Sequence, residues 1–135
     1  MSNMDDIKRK VLKECNTVAI VGLSDNPQRT SNRIGNYLQQ AGYKIVPVNP
    51  QIETALGEKA YPDLASIPFE VDVVDVFRRQ EEIDNVIDAA LKINPKAIWL
   101  QLGLTCTGDK ARVTETGTDL IEDCCMMVEH RRLAN

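Results

Sequence analysis

Short apolar segments alternate along this chain with longer segments in which apolar residues recur every three or four positions. The short segments are rich in β-branched residues, which is typical of buried strands, and they cover residues 17–22, 44–50, 71–77 and 96–102. The longer segments predict amphipathic helices at residues 3–14, 31–41, 80–93 and, more weakly, 109–116. Gly42 follows the second helix where a left-handed C-terminal cap is expected.

Two regions fit this alternation less well. Residues 59–61 predict a very short strand, and Asp63 after them is a candidate cap for a helical turn. Near the end of the chain, residues 119–122 and 126–128 predict two short strands around a pair of adjacent cysteines.

The alternation of apolar strands with helices predicts a parallel sheet covered by helices on both faces. We therefore expect an α/β fold, a single Rossmann-like domain over residues 1–135 with a doubly wound, mainly parallel sheet. At roughly 150 residues per domain, the length excludes a dehydrogenase with a separate substrate domain. In such folds ligands bind outside the carboxyl ends of the strands.

Charge and composition narrow the choice of partners. With 16 basic and 20 acidic residues, a net charge of −4 and 1 Trp, the chain argues against nucleic acid as the main partner. It has no apolar run of about 18 residues and no secretory segment, so we expect a cytoplasmic protein that does not bind a membrane. The only histidine is His130, and the spacing of the 4 cysteines argues against a metal site.

The segment after the first strand, residues 22–31, reads GLSDNPQRTS and lies where dinucleotide-binding folds carry a phosphate loop, although G-x-G-x-x-G is absent. A glycine turn before a helix N-terminus favours an anion. The candidate residues for a phosphate or pyrophosphate are Gly22, Ser24, Pro27, Arg29 and Ser31, and Thr30 and Arg33 add donors and charge. The alternative is an ordinary glycine turn with Ser31 as the N-cap.

The second strand ends in Asn49 and Pro50 and lacks the acidic residue that binds the ribose of NAD. Asn49 offers hydrogen bonds to a ribose or adenine, and Pro50 is either a flat wall or only a strand stop. The third strand ends in Phe77, Arg78 and Arg79. Because cations at a helix N-terminus oppose the helix dipole, a bound phosphate would explain both arginines; the alternative is a solvated charge pair.

The remaining reactive side chains do not form a catalytic arrangement. Asp75 lies within the third strand, where we favour a buried structural role over a place at the rim of the sheet. Cys124 and Cys125 are more typical of buried packing residues than of reactive thiols. No serine lies on a nucleophile elbow, so we assign no catalytic residue.

Five segments together, VAIVGLSDNPQRTS, IVPVNP, VDVVDVFRR, AIWLQLG and CCMMVEHRRL, resemble the small bacterial and archaeal CoA-binding proteins over about residues 15–133. These proteins are similar to the N-terminal domain of the succinyl-CoA synthetase alpha subunit. The resemblance implies a Rossmann-like fold that binds coenzyme A or an acyl-CoA at the carboxyl edge of the sheet, with no established catalytic activity.

The resemblance also assigns roles to residues in each strand-end segment. The family's phosphate loop is matched by Gly22, Ser24, Pro27, Arg29 and Ser31, and its adenosine end by Asn49 and Pro50. The third strand-end segment is matched by Phe77, Arg78 and Arg79, and the pantetheine end by Gln101 and Gly103. This chain departs from the family pattern in LTCTGD after Gly103 and in EDCC at residues 122–125. Both departures add cysteine, so a thiol chemistry would give a mixed disulfide of CoA with Cys106, Cys124 or Cys125.

The sequence is compatible with three functions. The first is a module that binds CoA or an acyl-CoA. The second is an NADP-dependent oxidoreductase in which Arg29 or Arg78 meets the 2′-phosphate. The third is a synthetase-like subunit that needs a partner chain, and a homo-oligomer is compatible with each of them.

Overall fold

A computed structural model describes residues 3–133. The helices are α1 (Met4–Glu14), α2 (Thr30–Gln40), α3 (Ile83–Leu91), α4 (Ala111–Thr114) and α5 (Met126–Leu133). The strands are β1 (Thr17–Val21), β2 (Lys44–Val48), β3 (Thr54–Ala55), β4 (Glu58–Lys59), β5 (Val73–Val76), β6 (Ala97–Leu100) and β7 (Asp119–Ile121). Within these residues no helix is long and apolar enough to cross a membrane.

The main sheet has the strand order β2-β1-β5-β6-β7, and each neighbouring pair in it is parallel. Strands β3 and β4 form a small antiparallel hairpin outside this sheet. The chain first adds β2 on one side of β1 and then adds β5 on the other side, so the order reverses between β1 and β5. Open α/β sheets bind their ligands at such a switch point. The predicted Rossmann-like α/β fold is confirmed.

Helices cover both faces of the sheet, as the apolar strands predict. Buried side chains of α1, α2 and α5 pack on one face against residues such as Val73 and Trp99. Buried side chains of α3 and α4 pack on the other face, against Val74 and Ile98 among others. Successive residues of β5 and β6 therefore serve opposite cores, which explains why these strands read as continuous apolar runs.

The structure corrects the prediction at the end of the chain. Residues 126–128, predicted as a strand, form the first turn of α5. The buried residues of this helix are Met126, Glu129 and Leu133, which is helical spacing. The apolar run CCMMV was too short to distinguish a strand from the start of a helix. The other late strand is confirmed as β7, and the helix predicted at 109–116 shortens to α4.

Candidate functional site

The switch point brings the end of β1 against the end of β5. Gly22, directly after β1, has a φ of +89°, in the left-handed region that glycine adopts freely. A Cβ at this position would lie 2.1 Å from the carbonyl oxygen of Phe77. The N–H of Gly22 also donates to the carbonyl of Val48 at 2.8 Å. Only a residue without a side chain therefore lets the three strand ends meet in this way.

Side chains of the loop between β1 and α2 hold that loop in place. The Oγ of Ser31 accepts from the N–H of Ser24 at 3.0 Å, and the Oγ of Ser24 accepts from the N–H of Asn26 at 3.0 Å. The Nδ2 of Asn32 donates to the carbonyl of Ser24 at 2.8 Å. Both serine hydroxyls keep their own hydrogen for a further acceptor.

The N-terminus of α2 is not capped by a side chain. The N-cap is Arg29, not Ser31, and its side chain makes no capping hydrogen bond. The first N–H groups of a helix lack partners within the helix and carry partial positive charge. Arg29 and Arg33 are exposed, and within residues 3–133 neither forms an ion pair. This end of α2 is therefore positively charged and has donors available.

The two arginines after β5 have acidic partners. Arg78 forms a double hydrogen bond with Glu82, with both N–O distances at 2.9 Å, and this contact lowers the pKa of Glu82. Arg79 lies 3.5 Å from Glu81 and 3.7 Å from Glu82. The glutamates therefore offset the positive charge at this helix start, and a role of Arg78 and Arg79 in binding phosphate stays a prediction.

Asn49 links two of the strand ends. Its Nδ2 donates to the carbonyl of Leu23 at 3.0 Å, and its Oδ1 accepts from the N–H of Gln51 at 2.9 Å. The side chain thus fixes the loop after β1 against the loop after β2. Pro50 is exposed just beyond the end of β2.

A buried polar pair lies beneath the strand ends. Asp75 of β5 is completely buried, and its Oδ1 accepts from the Nε2 of Gln101 at 2.5 Å. Its Oδ2 has no hydrogen-bond partner among the described residues. Burial raises the pKa of Asp75 to about 7, against the opposing effect of the hydrogen bond from Gln101. The aspartate is buried and hydrogen-bonded, as its position in the strand predicted.

The ends of β1, β2, β5 and β6 surround one cleft of about 590 Å³, which we call the rim cleft. Six of the predicted site residues line it: Gly22, Asn49, Phe77, Arg78, Arg79 and Gln101. Glu82 also lines it and was missed, although it lies four residues after Arg78 on the following turn.

The other six predicted site residues lie outside the lining of the rim cleft. Ser24, Pro27, Arg29 and Ser31 belong to the loop and the start of α2, Pro50 lines an adjoining cavity of about 250 Å³, and Gly103 donates its N–H to Asp123 at 2.7 Å.

A second opening, the α2–α5 crevice, adjoins the rim cleft. It measures about 870 Å³ and shares Phe77, Gln101 and Leu102 with the cleft. Tyr37 of α2 and Val128 of α5 line its walls. The sequence pattern does not predict this crevice, because the first residues of α5 have the apolar pattern of a strand.

The three candidate cysteines lie in different surroundings. Cys106 is buried in the core on the α3 face of the sheet. Cys124 is half-buried, and burial raises the pKa of its thiol despite the nearby Lys8. Cys125, also half-buried, lines the α2–α5 crevice. Of these three residues only Cys125 therefore contacts an opening that joins the rim cleft.

Comparison with known proteins places the chain in a family. Residues 16–131 match the family model described as a CoA binding domain. The uncharacterized protein YneT of Bacillus subtilis (strain 168) is 39% identical over 122 residues, which covers 90% of each chain.

Solved structures share the fold over nearly the whole chain. A hypothetical protein from Pyrococcus horikoshii OT3 superposes with a TM-score of 0.92 and 33% identity, covering 99% of this chain and 94% of that one. A dinucleotide-forming acetyl-coenzyme A synthetase from Ca. Korarchaeum cryptofilum shares the fold with a TM-score of 0.68 and 24% identity, covering 87% of this chain but 27% of its own. The fold thus occurs both in a chain of similar length and within a much longer chain. The match of the family model over residues 16–131 shows that this chain belongs to the CoA-binding domain family.

Proposed function

We propose that this protein binds coenzyme A in the rim cleft. One observation carries the proposal: the ends of four parallel strands share a single cleft at the switch point of the sheet, where doubly wound folds bind nucleotides. Membership in the CoA-binding domain family supports CoA as that nucleotide.

The phosphates of CoA are its most strongly charged groups, so the positive end of α2 is the part of the protein that suits them. The free N–H groups of its first turn and the hydroxyls of Ser24 and Ser31 supply donors. Arg29 and Arg33 supply charge that no acidic side chain among residues 3–133 neutralises. A local positive end accounts for an anionic ligand on a chain whose net charge is −4.

The adenosine end fits the side of the rim cleft next to β2. The adjoining cavity of about 250 Å³ is lined by apolar groups of Val48, Pro50 and Val86, and Arg78 belongs to both openings. A flat base suits such an apolar slot, with Arg78 beside it for stacking or for the 3′-phosphate. In this arrangement Asn49 acts by holding the two loops together rather than by offering a free amide.

The pantetheine arm then extends across the sheet toward β6. Gln101 lies there with its Nε2 engaged by Asp75, which leaves its Oε1 as an acceptor for an amide N–H of the arm. Leu102 beside it offers an apolar contact.

Calorimetry with CoA and, separately, with NADPH tests the proposal. We expect saturable binding of CoA at one site per chain and much weaker binding of NADPH, which has no pantetheine arm. Binding of NADPH with no binding of CoA would overturn the proposal and favour the oxidoreductase alternative. Absence of binding by both would favour a subunit that works only with a partner chain.

A further inference from the structure

From the shape and lining of the α2–α5 crevice we infer that the ligand class is acyl-CoA with an apolar acyl group, and that this crevice holds the hydrocarbon part of that acyl group. The inference rests on the proposed function, since it extends the same ligand into a second opening. It distinguishes an acyl ester from free CoA, which the sequence leaves open.

The crevice and the rim cleft share part of their lining. Phe77, Gln101 and Leu102 line both openings, so the floor of the rim cleft continues into the crevice. These residues follow β5 and β6, toward which the arm extends in the proposed arrangement of CoA. A thioester at the end of the arm therefore has a continuous path into the crevice.

The crevice has the length and the lining expected of a site that binds an acyl chain. Beyond the first turn of α2, which is assigned to the phosphates, the crevice is bordered by Ile34, Tyr37 and Gln40, a distance of about 9 Å at 1.5 Å per residue. Its apolar walls come from Ile34, Tyr37 and Val128, and no carboxylate lines it among the described residues. An extended hydrocarbon chain fits this long, apolar opening better than a cationic or compact group does.

The wall of the crevice is held in place before any ligand binds. The hydroxyl of Tyr37 lies 2.8 Å from the Nδ1 of His130, and the two rings meet edge to face. The guanidinium of Arg131 lies over the Tyr37 ring, 4.9 Å from its centre. Ordered walls reduce the entropy that binding would otherwise cost.

Apolar side chains at the mouth of the crevice are exposed to solvent. Leu102 is 74% exposed and Val128 is 49% exposed. Among the described residues, the other exposed large apolar side chains are Met4 at 46% and Phe69 at 37%, and neither lines the crevice. An acyl chain that covers Leu102 and Val128 would remove this apolar surface from water.

The test compares CoA with its acetyl, butyryl and hexanoyl esters by calorimetry. We expect affinity to rise about threefold to fourfold for each CH₂ that enters the crevice. Val128→Ser should flatten this rise and leave the affinity for free CoA unchanged. Met4→Ser is the matched control, because Met4 is 46% exposed on α1 and lies outside the crevice, and it should keep the rise.

Four outcomes overturn the inference alone. Equal affinity for CoA and hexanoyl-CoA would do so while the proposed function stands. If Val128→Ser and Met4→Ser equally reduce the increase of affinity with acyl-chain length, the increase would reflect nonspecific adsorption. Tighter binding of succinyl-CoA than of hexanoyl-CoA would assign the crevice to a charged acyl group through Arg33 and Arg131. A dimer that Val128→Ser dissociates, without any rise with chain length, would assign the crevice to a second copy of the chain. If no CoA compound binds, the proposed function fails as well.

Discussion

The Nε2 of Gln101 donates a hydrogen bond to the Oδ1 of Asp75 across 2.5 Å, and this bond joins the floor of the rim cleft to the buried centre of the sheet. Asp75 pairs with Ile20 and Trp99 in the neighbouring strands, so no charged residue flanks it in the sheet. A carboxylate in this position is disfavoured in its charged form, which is why the pKa of Asp75 is raised to about 7.

We expect Asp75→Asn to remove a pH dependence of stability. In the unfolded chain the pKa of an aspartate is about 3.9, so between about pH 4 and pH 7 the unfolded chain loses a proton that the folded chain keeps. The wild-type free energy of unfolding therefore falls as pH rises through this interval, by roughly 2–4 kcal/mol in total, and levels off above it. Asparagine resembles the protonated acid and accepts the same bond from Gln101. Urea unfolding at several pH values measures the difference.

Asp25→Asn serves as the control, because Asp25 is an exposed loop aspartate. Asp25→Asn should show the same dependence of the unfolding free energy on pH as the wild-type protein. A stability difference between Asp75→Asn and wild type that is the same at every pH would contradict the assignment.

Gly22→Ala should damage both stability and binding. The added Cβ would lie 2.1 Å from the carbonyl oxygen of Phe77, so the tips of β1 and β5 must separate. We expect a loss of roughly 2–4 kcal/mol in unfolding free energy and at least tenfold weaker CoA binding below the melting transition. Gly57→Ala is matched to it, since Gly57 also has a positive φ, +76°, but a Cβ there meets nothing within 4 Å. It should cost about 1 kcal/mol and leave CoA affinity unchanged. Wild-type affinity in Gly22→Ala would show that the strand ends do not shape the site.

The order of apolar runs was enough to predict the sheet, because a strand buried on both faces must be apolar at nearly every position. It was not enough to predict α5, whose first residues form the same kind of run at the start of a helix. Glu82 is visible in the sequence four residues after Arg78, but only the structure shows that it pairs with Arg78 and lines the rim cleft. Which residues a loop aims at a cavity depends on long-range packing that local pattern does not encode.

Arg29→Ala and Arg33→Ala should each weaken CoA binding by roughly 1.5–3 kcal/mol, because a phosphate bound at the N-terminus of α2 would lose a charged donor. Calorimetry at two salt concentrations should show a smaller salt dependence for each variant than for wild type. Arg9→Ala, on α1 with an exposed partner in Asp6, is the control and should bind like wild type. Unchanged affinity in both variants would move the phosphates away from α2.

Glu82→Gln should tighten CoA binding severalfold. Glu82 presents a carboxylate to the rim cleft and occupies the guanidinium of Arg78 through two hydrogen bonds. The neutral side chain removes repulsion of the phosphates and leaves Arg78 with more of its charge available. Arg78→Ala should act in the opposite direction, by roughly 1.5–3 kcal/mol. Glu81→Gln, whose side chain is 69% exposed and lies outside the cleft, is the comparison and should change affinity little. Weaker binding in Glu82→Gln would mean that the ion pair itself holds the site in shape.

A mixed disulfide with CoA, if it forms, should involve Cys125. When CoA disulfide is added, the thiolate of Cys125 attacks one sulfur of the disulfide, the protein retains one CoA through a new S–S bond, and the second CoA leaves as a thiol. Cys125 lines the crevice that joins the rim cleft, whereas Cys106 is buried on the opposite face and the pKa of Cys124 is raised by burial. Intact mass measured without reductant should therefore show one CoA adduct in wild type and in Cys124→Ser, and none in Cys125→Ser. An adduct that persists in Cys125→Ser would place the thiol end of the ligand outside the α2–α5 crevice, and with it the path that an acyl chain would follow.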